Sequence, residues 1–395
     1  MQIIFNILNI FEFILFTYLA GNVLYILVFA IAGTFTVRKS IPPFKKFRHI
    51  TLLITAYKED EIIESIVKSA LIQDYPEEKI EIILIADSFS TETVESLARY
   101  PIKLVVANLN ESTKVHSLQL ALEYLPACTD FVVILDADNV MESNCLRKLN
   151  MAFDLGYKVI QCHRVAKNTN SSFALLDAVS EEVNNNIFRK GHRVLHLSAA
   201  LIGSAIAFEA GTFRKFIPGL QAVGGFDKEL ELALLKNSVT IDYLHEAYVY
   251  DEKIANSQAF YKQRRRWISS QLYYFGKGIL PGFSELFVHG NIDLFNKSMQ
   301  FSLFPRVMLL GSLAAMSVLQ LFIKTAIPSV LWFVTFVLCA LAILVSIPNH
   351  FYNRQTFRAL LSLPRAFILM VLVLFRLKKA NKQFIHTEHH YQSYY

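Results

Sequence analysis

The sequence predicts an α/β protein, with a parallel, doubly wound sheet and membrane helices at both ends of the chain. Short apolar strands alternate with amphipathic helices between residues 50 and 141. The residues AVILMFWYC make up 53% of the 395 positions and charged residues only 18%, which excludes a disordered chain. The apolar excess lies before residue 38 and after residue 300. This distribution argues against an ordinary soluble enzyme and for a chain partly solvated by lipid.

The N-terminal apolar segment predicts a membrane-spanning helix within residues 1–37. Residues 13–37 carry no charge, and about 20 apolar residues suffice to cross a bilayer. A cleaved signal peptide fits poorly, because its basic leading segment is missing and the apolar run is too long. The basic residues that follow are Arg38, Lys39, Lys45, Lys46 and Arg48. Such a flank is typical of the cytoplasmic side, so we expect residues 38–278 to form a cytoplasmic domain.

The C-terminal apolar block, residues 279–378, predicts two further spans and one interfacial helix. Residues 307–323 and 327–347 have the composition of an antiparallel pair of spanning helices, with a buried helical hairpin as the alternative. Residues 366–375 give only ten apolar positions, so residues 364–377 are expected to lie in the interface. The basic tail, residues 379–395, would then stay cytoplasmic.

The charge and the cysteines exclude two further classes. A net charge of +6 is mild for this length and does not indicate a nucleic-acid partner. Four cysteines without a C-x-x-C pair suggest neither a zinc site nor a disulfide framework.

The central domain can be read element by element. Its predicted strands are residues 50–56, 80–86, 103–107 and 131–135, and its first two predicted helices are residues 61–73 and 91–99. Ligands of such sheets bind beyond the carboxyl ends of the strands, where Glu59, Asp87, Asp136 and Asp138 fall.

Two clusters have residue types that suit chemistry. Asp136-Ala-Asp138 places two carboxylates at i and i+2 after the strongest strand, a hard-oxygen site for Mg²⁺ or Mn²⁺ together with substrate phosphates. Its alternative is a solvated turn or a helix cap. Residues 263–267 read Q-R-R-R-W, and guanidinium groups suit a diphosphate. The alternative for this cluster is a membrane-surface patch.

The order of these motifs resembles the membrane-embedded family-2 glycosyltransferases, the group with cellulose, chitin and hyaluronan synthases and ceramide glucosyltransferase. Residues 54–59 are similar to the family's "P-A-Y-N-E" segment, residues 73–76 match "Q-x-Y-P", and residues 85–91 resemble "V-x-D-x-S-T". The D-A-D triplet at 136–138 and Q-x-x-R-W at 263–267 complete the pattern over residues 50–270.

This resemblance implies a GT-A fold, which is Rossmann-like, and inverting transfer from a nucleotide sugar, commonly a UDP-sugar. The acceptor would be a lipid, a lipid-linked glycan or a growing polysaccharide, and the location the plasma membrane. The implied nucleotide-binding residues are Tyr57, Glu59, Asp87, Lys114 and Asp136. Asp138, with Asp136, would bind Mg²⁺ or Mn²⁺. Arg266 would meet the diphosphate, and Gln263 and Trp267 would line the acceptor site.

The catalytic base is where the sequence departs from the family. Where the family has "T-E-D-x-E-L", residues 227–232 read D-K-E-L-E-L. Aligning the E-L pair puts Glu229 at the position of the base, with Asp227 in reserve; the alternative is a helix start with solvated acids. The altered motif keeps open a second function, that of a non-catalytic membrane homologue that binds nucleotide sugars.

Overall fold

The computed structural model of the protein describes residues 2–35, 45–109, 111–323 and 325–375, and its centre is an eight-stranded mixed sheet. The strand order across the sheet is β3-β2-β1-β4-β7-β6-β8-β5. The strands are β1 Ile50–Tyr57, β2 Ile80–Asp87, β3 Lys103–Ala107, β4 Phe131–Asp136, β5 Val140–Met141, β6 Val159–Ala166, β7 Ile206–Glu209 and β8 Ile241–Asp251.

The predicted parallel arrangement is correct for the first four strands and again for the β6–β8 pair, but wrong for β7 and β5, which run antiparallel to their neighbours. β1 pairs in parallel with β2 and β4, and β2 with β3, so their carboxyl ends meet at one edge. β7 runs antiparallel to both β4 and β6. The chain leaves β6 at its carboxyl end and, after a long helical excursion, re-enters the sheet from that same edge. The βαβ pattern that predicts parallel pairing is therefore interrupted there.

Fifteen α-helices belong to the described ranges and surround or extend the sheet. They are α1 Gln2–Ala32, α2 Ile63–Leu71, α3 Thr91–Leu97, α4 Lys114–Tyr124, α5 Cys145–Phe153, α6 Ser172–Asn184, α7 His192–Val194, α8 Ala210–Phe216, α9 Phe226–Lys236, α10 Ser257–His289, α11 Ile292–Ser302, α12 Arg306–Leu319, α13 Ser329–Val345, α14 Arg354–Leu360 and α15 Leu363–Leu374.

Both faces of the sheet are buried. Successive strand residues point to opposite faces, so Leu52 and Ile54 of β1 belong to one core and Leu53 to the other. The first core includes buried residues of α2 and α5, and the second includes residues of α4, α8 and α9. Continuous apolar strands such as β1 are the expected consequence of this two-sided cover.

The membrane prediction is supported most clearly at the N-terminus. In the described part of the chain, one helical stretch, Asn6–Ala32, is long and apolar enough to cross a membrane by itself. Up to three spans result if the bent pairs α11–α12 (57°) and α14–α15 (43°) each count as one. The predicted spans 307–323 and 327–347 form the shorter helices α12 and α13, of 14 and 17 residues.

The remaining boundary predictions fare differently. The predicted border at residue 278 falls inside α10, which continues to His289 without a break. Residues 364–377, predicted to be interfacial, largely coincide with α15. Residues 36–44 and 376–395, which include Arg38, Lys39 and the tail, lie outside the described residues.

Helix α11 connects the N-terminal helix to the sheet domain through polar side chains. Tyr25 Oη of α1 donates to Asn296 Oδ1 of α11 at 2.8 Å. One residue further along α11, Lys297 Nζ donates to Glu231 Oε1 of α9, also at 2.8 Å. Lys297 and Glu231 are both fully buried, so this ion pair fixes α11 firmly against α9.

Candidate active site

A cavity of about 1020 Å³ lies at the carboxyl edge of the parallel strands and extends between the C-terminal helices. The structure brings ten of the eleven predicted site residues to its wall: Tyr57, Glu59, Asp87, Lys114, Asp136, Asp138, Asp227, Gln263, Arg266 and Trp267. Glu229 is the exception among the predicted residues. These ten residues, which span about 210 positions of the sequence, therefore lie around one cavity.

The ends of β1 and β2 form the first wall of the cavity. Lys58 and Ser88 directly follow these strands, and their positive φ values of 54° and 60° are ones that side-chain-bearing residues rarely adopt. The Lys58 N–H donates to the Asp87 carbonyl at 3.1 Å, which joins the two strand ends. The backbone therefore turns sharply at both strands and leaves Glu59 and Asp87 at the cavity.

Asp87 has an unused acceptor. Its carboxylate is 1% exposed, and Oδ1 accepts from Ser88 Oγ at 2.9 Å. Oδ2 is buried and has no hydrogen-bond partner within the described ranges. A buried oxygen of this kind costs free energy unless it is paired, so it suits a ligand N–H or O–H.

Lys114 and Asp136 form an ion pair across the next part of the wall. Lys114 is the first residue of α4, and its Nζ contacts the carboxylate of Asp136 at the end of β4. The same Nζ lies 5.4 Å from the ring centroid of Phe226 in α9. Lys114 therefore presents a positive charge between the carboxyl end of β4 and the helix that carries Asp227.

Asp138 meets the chemical requirements of a divalent-cation ligand. It is 7% exposed; its Oδ1 accepts from Asn139 Nδ2 at 2.9 Å and its Oδ2 from the Glu252 N–H at 3.1 Å. Both of these donors are neutral, and an ionised carboxylate has about four lone-pair sites. No group of three or more His, Cys, Asp or Glu side chains suited to a metal occurs in the described chain. Two carboxylates nevertheless fit Mg²⁺ or Mn²⁺ when substrate phosphates supply further ligands.

The structure separates the two candidate bases on α9. Glu229 Oε2 accepts the backbone N–H groups of Gln221 at 3.0 Å and Ala222 at 2.8 Å, so it fixes the preceding loop. Asp227 lines the cavity, with 17% of its side chain exposed and an ion pair to Lys228 at 3.1 Å. The geometry therefore favours Asp227, the reserve candidate, over Glu229.

A glycine fixes where α9 begins. Gly225 has φ of 74°, and a Cβ at this position would lie 1.9 Å from Ser270 Oγ of α10. Only glycine tolerates both the backbone conformation and the contact. Asp227 follows two residues later, so this close approach determines its position relative to α10.

The arginines at 264–266 have different environments. Arg264 pairs with Asp177 of α6, and its guanidinium lies 4.3 Å from the Trp267 ring centroid. These contacts within the protein hold the Arg264 side chain in place. Burial lowers the pKa of Arg266, and the nearby charges of Asp136 and Asp227 oppose that shift. Arg266 therefore lies within electrostatic reach of both the D-A-D triplet and the candidate base. A guanidinium in this place suits a diphosphate.

Sequence reasoning missed a buried charge cluster on the far side of the cavity. Its members are Arg164, Glu181, Arg189, Asp251 and Lys253, all of which line the cavity. Arg164 contacts Glu181 at 3.1 Å and Asp251 at 3.3 Å, and Arg189 contacts Glu181 at 3.0 Å. Burial opposes ionisation of Glu181, but Arg164, Lys253 and Arg189 hold its pKa well below the usual range. These residues come from β6, α6, the following helical turns and the end of β8, so no contiguous motif indicates them.

Comparisons with known proteins identify the family and the fold of the chain. The profile described as "glycosyltransferase like family 2" matches residues 48–270. Among solved structures, the mannosyltransferase PcManGT from Pyrobaculum calidifontis, in complex with GDP-Man and Mn²⁺, is 16% identical with a TM-score of 0.53. The match covers 84% of this chain and 96% of that one. Residues 1–349 of S. aureus TarS are 15% identical, cover 81% of this chain and 91% of theirs, and have a TM-score of 0.41.

No curated protein sequence matches the chain. The mannosyltransferase likeness supports the fold, and the profile covers more than half of the chain, including the strands β1–β8, α9 and the start of α10. The chain therefore belongs to glycosyltransferase family 2 and is a glycosyltransferase with the α/β fold of that family.

Proposed function

We propose that the protein is an inverting membrane glycosyltransferase that moves a sugar from a nucleotide sugar to an acceptor hydroxyl at the bilayer. The observation that carries this proposal is the convergence of ten motif residues on one cavity that continues between the C-terminal helices. The mannosyltransferase that shares the fold is described with a nucleotide sugar and Mn²⁺, which supports a nucleotide-sugar donor and a divalent cation here.

The donor would lie along the carboxyl edge of β1, β2 and β4. Asp87 Oδ2, buried and unpaired in the described chain, would accept from the nucleoside, with Tyr57 and Glu59 beside it. Lys114 and Arg266 would hold the diphosphate oxygens from two sides, since each is cationic and lines the cavity.

Asp138 and Asp136 would hold Mg²⁺ or Mn²⁺. When bound, such an ion offsets the negative charge that grows on the departing diphosphate.

Asp227 would act as the general base. Its carboxylate takes the proton of the acceptor hydroxyl while the hydroxyl oxygen forms a bond to the anomeric carbon. The bond from that carbon to the diphosphate oxygen breaks on the opposite face, so the configuration inverts and the nucleoside diphosphate leaves. Arg266, within electrostatic reach of Asp227 and Asp136, stabilises the charge that develops between them.

The acceptor side and the orientation follow from the helices. The catalytic domain, residues 38–278, would be held at the plasma membrane by the flanking segments 1–37 and 279–378. It would lie on the cytoplasmic face, because basic residues follow the first span. A lipid, a lipid-linked glycan or a growing polysaccharide could reach the cavity from that side. Reporter mapping should find Tyr395 in the cytoplasm, and a reporter outside would overturn this orientation.

The decisive experiment measures release of nucleoside diphosphate by the purified full-length protein with a panel of UDP- and GDP-sugars. We expect release with at least one donor, a loss of ~100-fold or more in Asp227→Asn, and a change of less than ~10-fold in the matched variant Glu229→Gln. The reverse order would move the base to Glu229. Nucleotide binding without release from any donor would support the non-catalytic alternative.

A further inference from the structure

The cavity has a second, apolar part that the donor and base do not use. Beyond the charged wall it runs between α12, α13 and α15. Its apolar lining includes Val307, Leu310, Phe336, Ile343, Phe367 and Met370. Such a lining suits hydrocarbon and offers nothing to a sugar or a nucleotide.

Arg306 lies where the two parts of the cavity meet. It is the first residue of α12, and Val307 directly after it lines the apolar part. Its Nη2 donates to the backbone carbonyl and to Oγ of Ser180 in α6, each at 3.0 Å. α6 also carries Asp177 and Glu181 of the charged wall. Arg306 is therefore held at a defined place, by neutral acceptors.

The guanidinium of Arg306 retains an unsatisfied donor. Its Nη1 is buried and has no hydrogen-bond partner among residues 2–35, 45–109, 111–323 and 325–375. The group lies 5.9 Å from the ring centroid of Phe188, a contact that accommodates the charge without neutralising it. A buried cationic donor left unpaired costs more than a neutral one, which favours a site that a ligand completes.

The charges around Arg306 make an anionic ligand the natural complement. In the described chain, the neighbouring wall contains four cations joined to three carboxylates: Arg164, Arg189, Lys253 and Arg264 with Asp177, Glu181 and Asp251. Those carboxylates are already engaged with cations, so none is left for Arg306. Two arginines and one carboxylate act on Arg306 electrostatically: Arg264, Arg189 and Glu181. Positive charge is therefore in excess at this point of the cavity.

We propose that Arg306 binds the acidic group of a lipid whose hydrocarbon chains occupy the apolar part of the cavity. The fork of the guanidinium matches a phosphate or carboxylate, and the apolar lining matches the chains. The proposal rests on the proposed function, because the lipid would present its hydroxyl to Asp227 as the acceptor or carry the acceptor glycan. A free anion would gain nothing from the apolar part, so the lipid is the occupant that both features fit.

Binding of two lipids that differ only in the acidic group tests the proposal. Dioleoyl phosphatidic acid and dioleoylglycerol have the same chains, and the purified full-length protein in neutral detergent can be titrated with each in radiolabelled form. We expect phosphatidic acid to bind at least ~10-fold more tightly, because its phosphate forms a charge-assisted pair with the buried guanidinium. Glycerol 3-phosphate, which lacks the chains, should not compete.

Variants connect this preference to the residue. Arg306→Gln should abolish the difference between the two lipids, Arg306→Lys should retain part of it, and Arg358→Gln should keep it in full. Arg358 is an exposed arginine of α14 that does not line the cavity, so it controls for the loss of one positive charge. Equal binding of the two lipids by the unaltered protein, failure to bind either, or an unchanged preference in Arg306→Gln would each overturn the proposal. Competition by glycerol 3-phosphate would show a site for free anions instead.

Binding of nucleoside diphosphate, measured on the same samples, separates this proposal from the proposed function. A protein that binds phosphatidic acid through Arg306 but neither binds nor turns over a nucleotide would contradict the transferase mechanism alone. A protein that transfers sugar without a preference for the acidic lipid would contradict this inference alone.

Discussion

The two sides of the cavity are built in opposite ways. The donor edge is made of short contiguous motifs at the ends of β1, β2 and β4, and its carboxylates lie at the cavity. The opposite wall, made of β6, α6, the helical turns after α6 and the end of β8, contains charges that are buried against one another, such as Glu181 between Arg164 and Arg189. We infer that donor-edge substitutions mainly reduce activity, whereas substitutions in the charge cluster mainly reduce stability.

The largest expected effect on activity is at Asp138. Asp138→Ala should lower sugar transfer by ~10²–10³-fold, because it removes the carboxylate proposed to hold the divalent cation. The thermal midpoint should change less than the activity, since Asp138 accepts hydrogen bonds from two neutral donors, Asn139 Nδ2 and the Glu252 N–H, whose loss costs little. Transfer assays across a titration of Mn²⁺ and a melting curve in detergent measure both quantities. Full activity in this variant would refute the metal assignment.

The largest expected effect on stability is at Glu181. Glu181→Gln should lower the free energy of unfolding by about 3–5 kcal/mol, because it removes the negative partner of buried cations. Its matched control is Lys68→Met, which removes one member of an exposed ion pair with Glu64 and should give no resolvable change. Denaturant titration of both variants provides the measurement. A stable Glu181→Gln variant that had lost only activity would break the contrast between the two walls.

A smaller effect concerns pH and His192. This imidazole is fully buried, its ring stacks on Phe29 at 3.8 Å between centroids, and burial lowers its pKa to about 3. In the unfolded chain His192 is protonated below about pH 6.5, whereas in the folded chain it stays neutral down to a much lower pH. The free energy of unfolding therefore decreases as the pH falls below about 6.5. At pH 5 the loss from this group is about 2 kcal/mol.

Thermal melts between pH 5 and 7.5 test this expectation for His192. His192→Asn should show a shallower slope than the unaltered protein, and His116→Gln, which alters an exposed histidine, should keep the original slope. An identical slope in all three proteins would mean that His192 is not the group responsible.

The last expected effect concerns Gly225, where the start of α9 contacts α10. Gly225→Ala should cost about 1–3 kcal/mol of stability, because alanine is strained at positive φ and its Cβ would overlap Ser270 Oγ. The displaced start of α9 should also lower transfer, since Asp227 is two residues away. The double variant with Ser270→Ala should recover part of both losses. An additive loss in the double variant would show that this contact is unimportant.

The donor edge could be predicted from sequence because its residues follow strands whose order and parallel pairing are themselves predictable. The choice between Asp227 and Glu229 could not be predicted from sequence. Residues two positions apart on a helix are rotated by about 200° about its axis, so they lie on opposite faces, and a motif does not fix which of them faces the cavity. Arg306 and Lys253 could not be predicted either. Both side chains contact α6: Arg306 of α12 donates to Ser180, and Lys253, just after β8, pairs with Glu181. Contacts between elements so far apart in sequence leave no local pattern.

The polar connection through α11 has a practical consequence for anyone who wishes to work without the membrane. Removing α1 to obtain a soluble enzyme would also remove Tyr25, and with it the hydrogen bond that holds Asn296 on the helix that carries Lys297. Lys297 in turn pairs with Glu231, four residues from Asp227 on the same helix. In a shortened protein we therefore expect the carboxyl ends of β1, β2 and β4 to stay in place and α9, which carries Asp227, to lose its fixed position. Truncation should then preserve nucleotide binding better than sugar transfer.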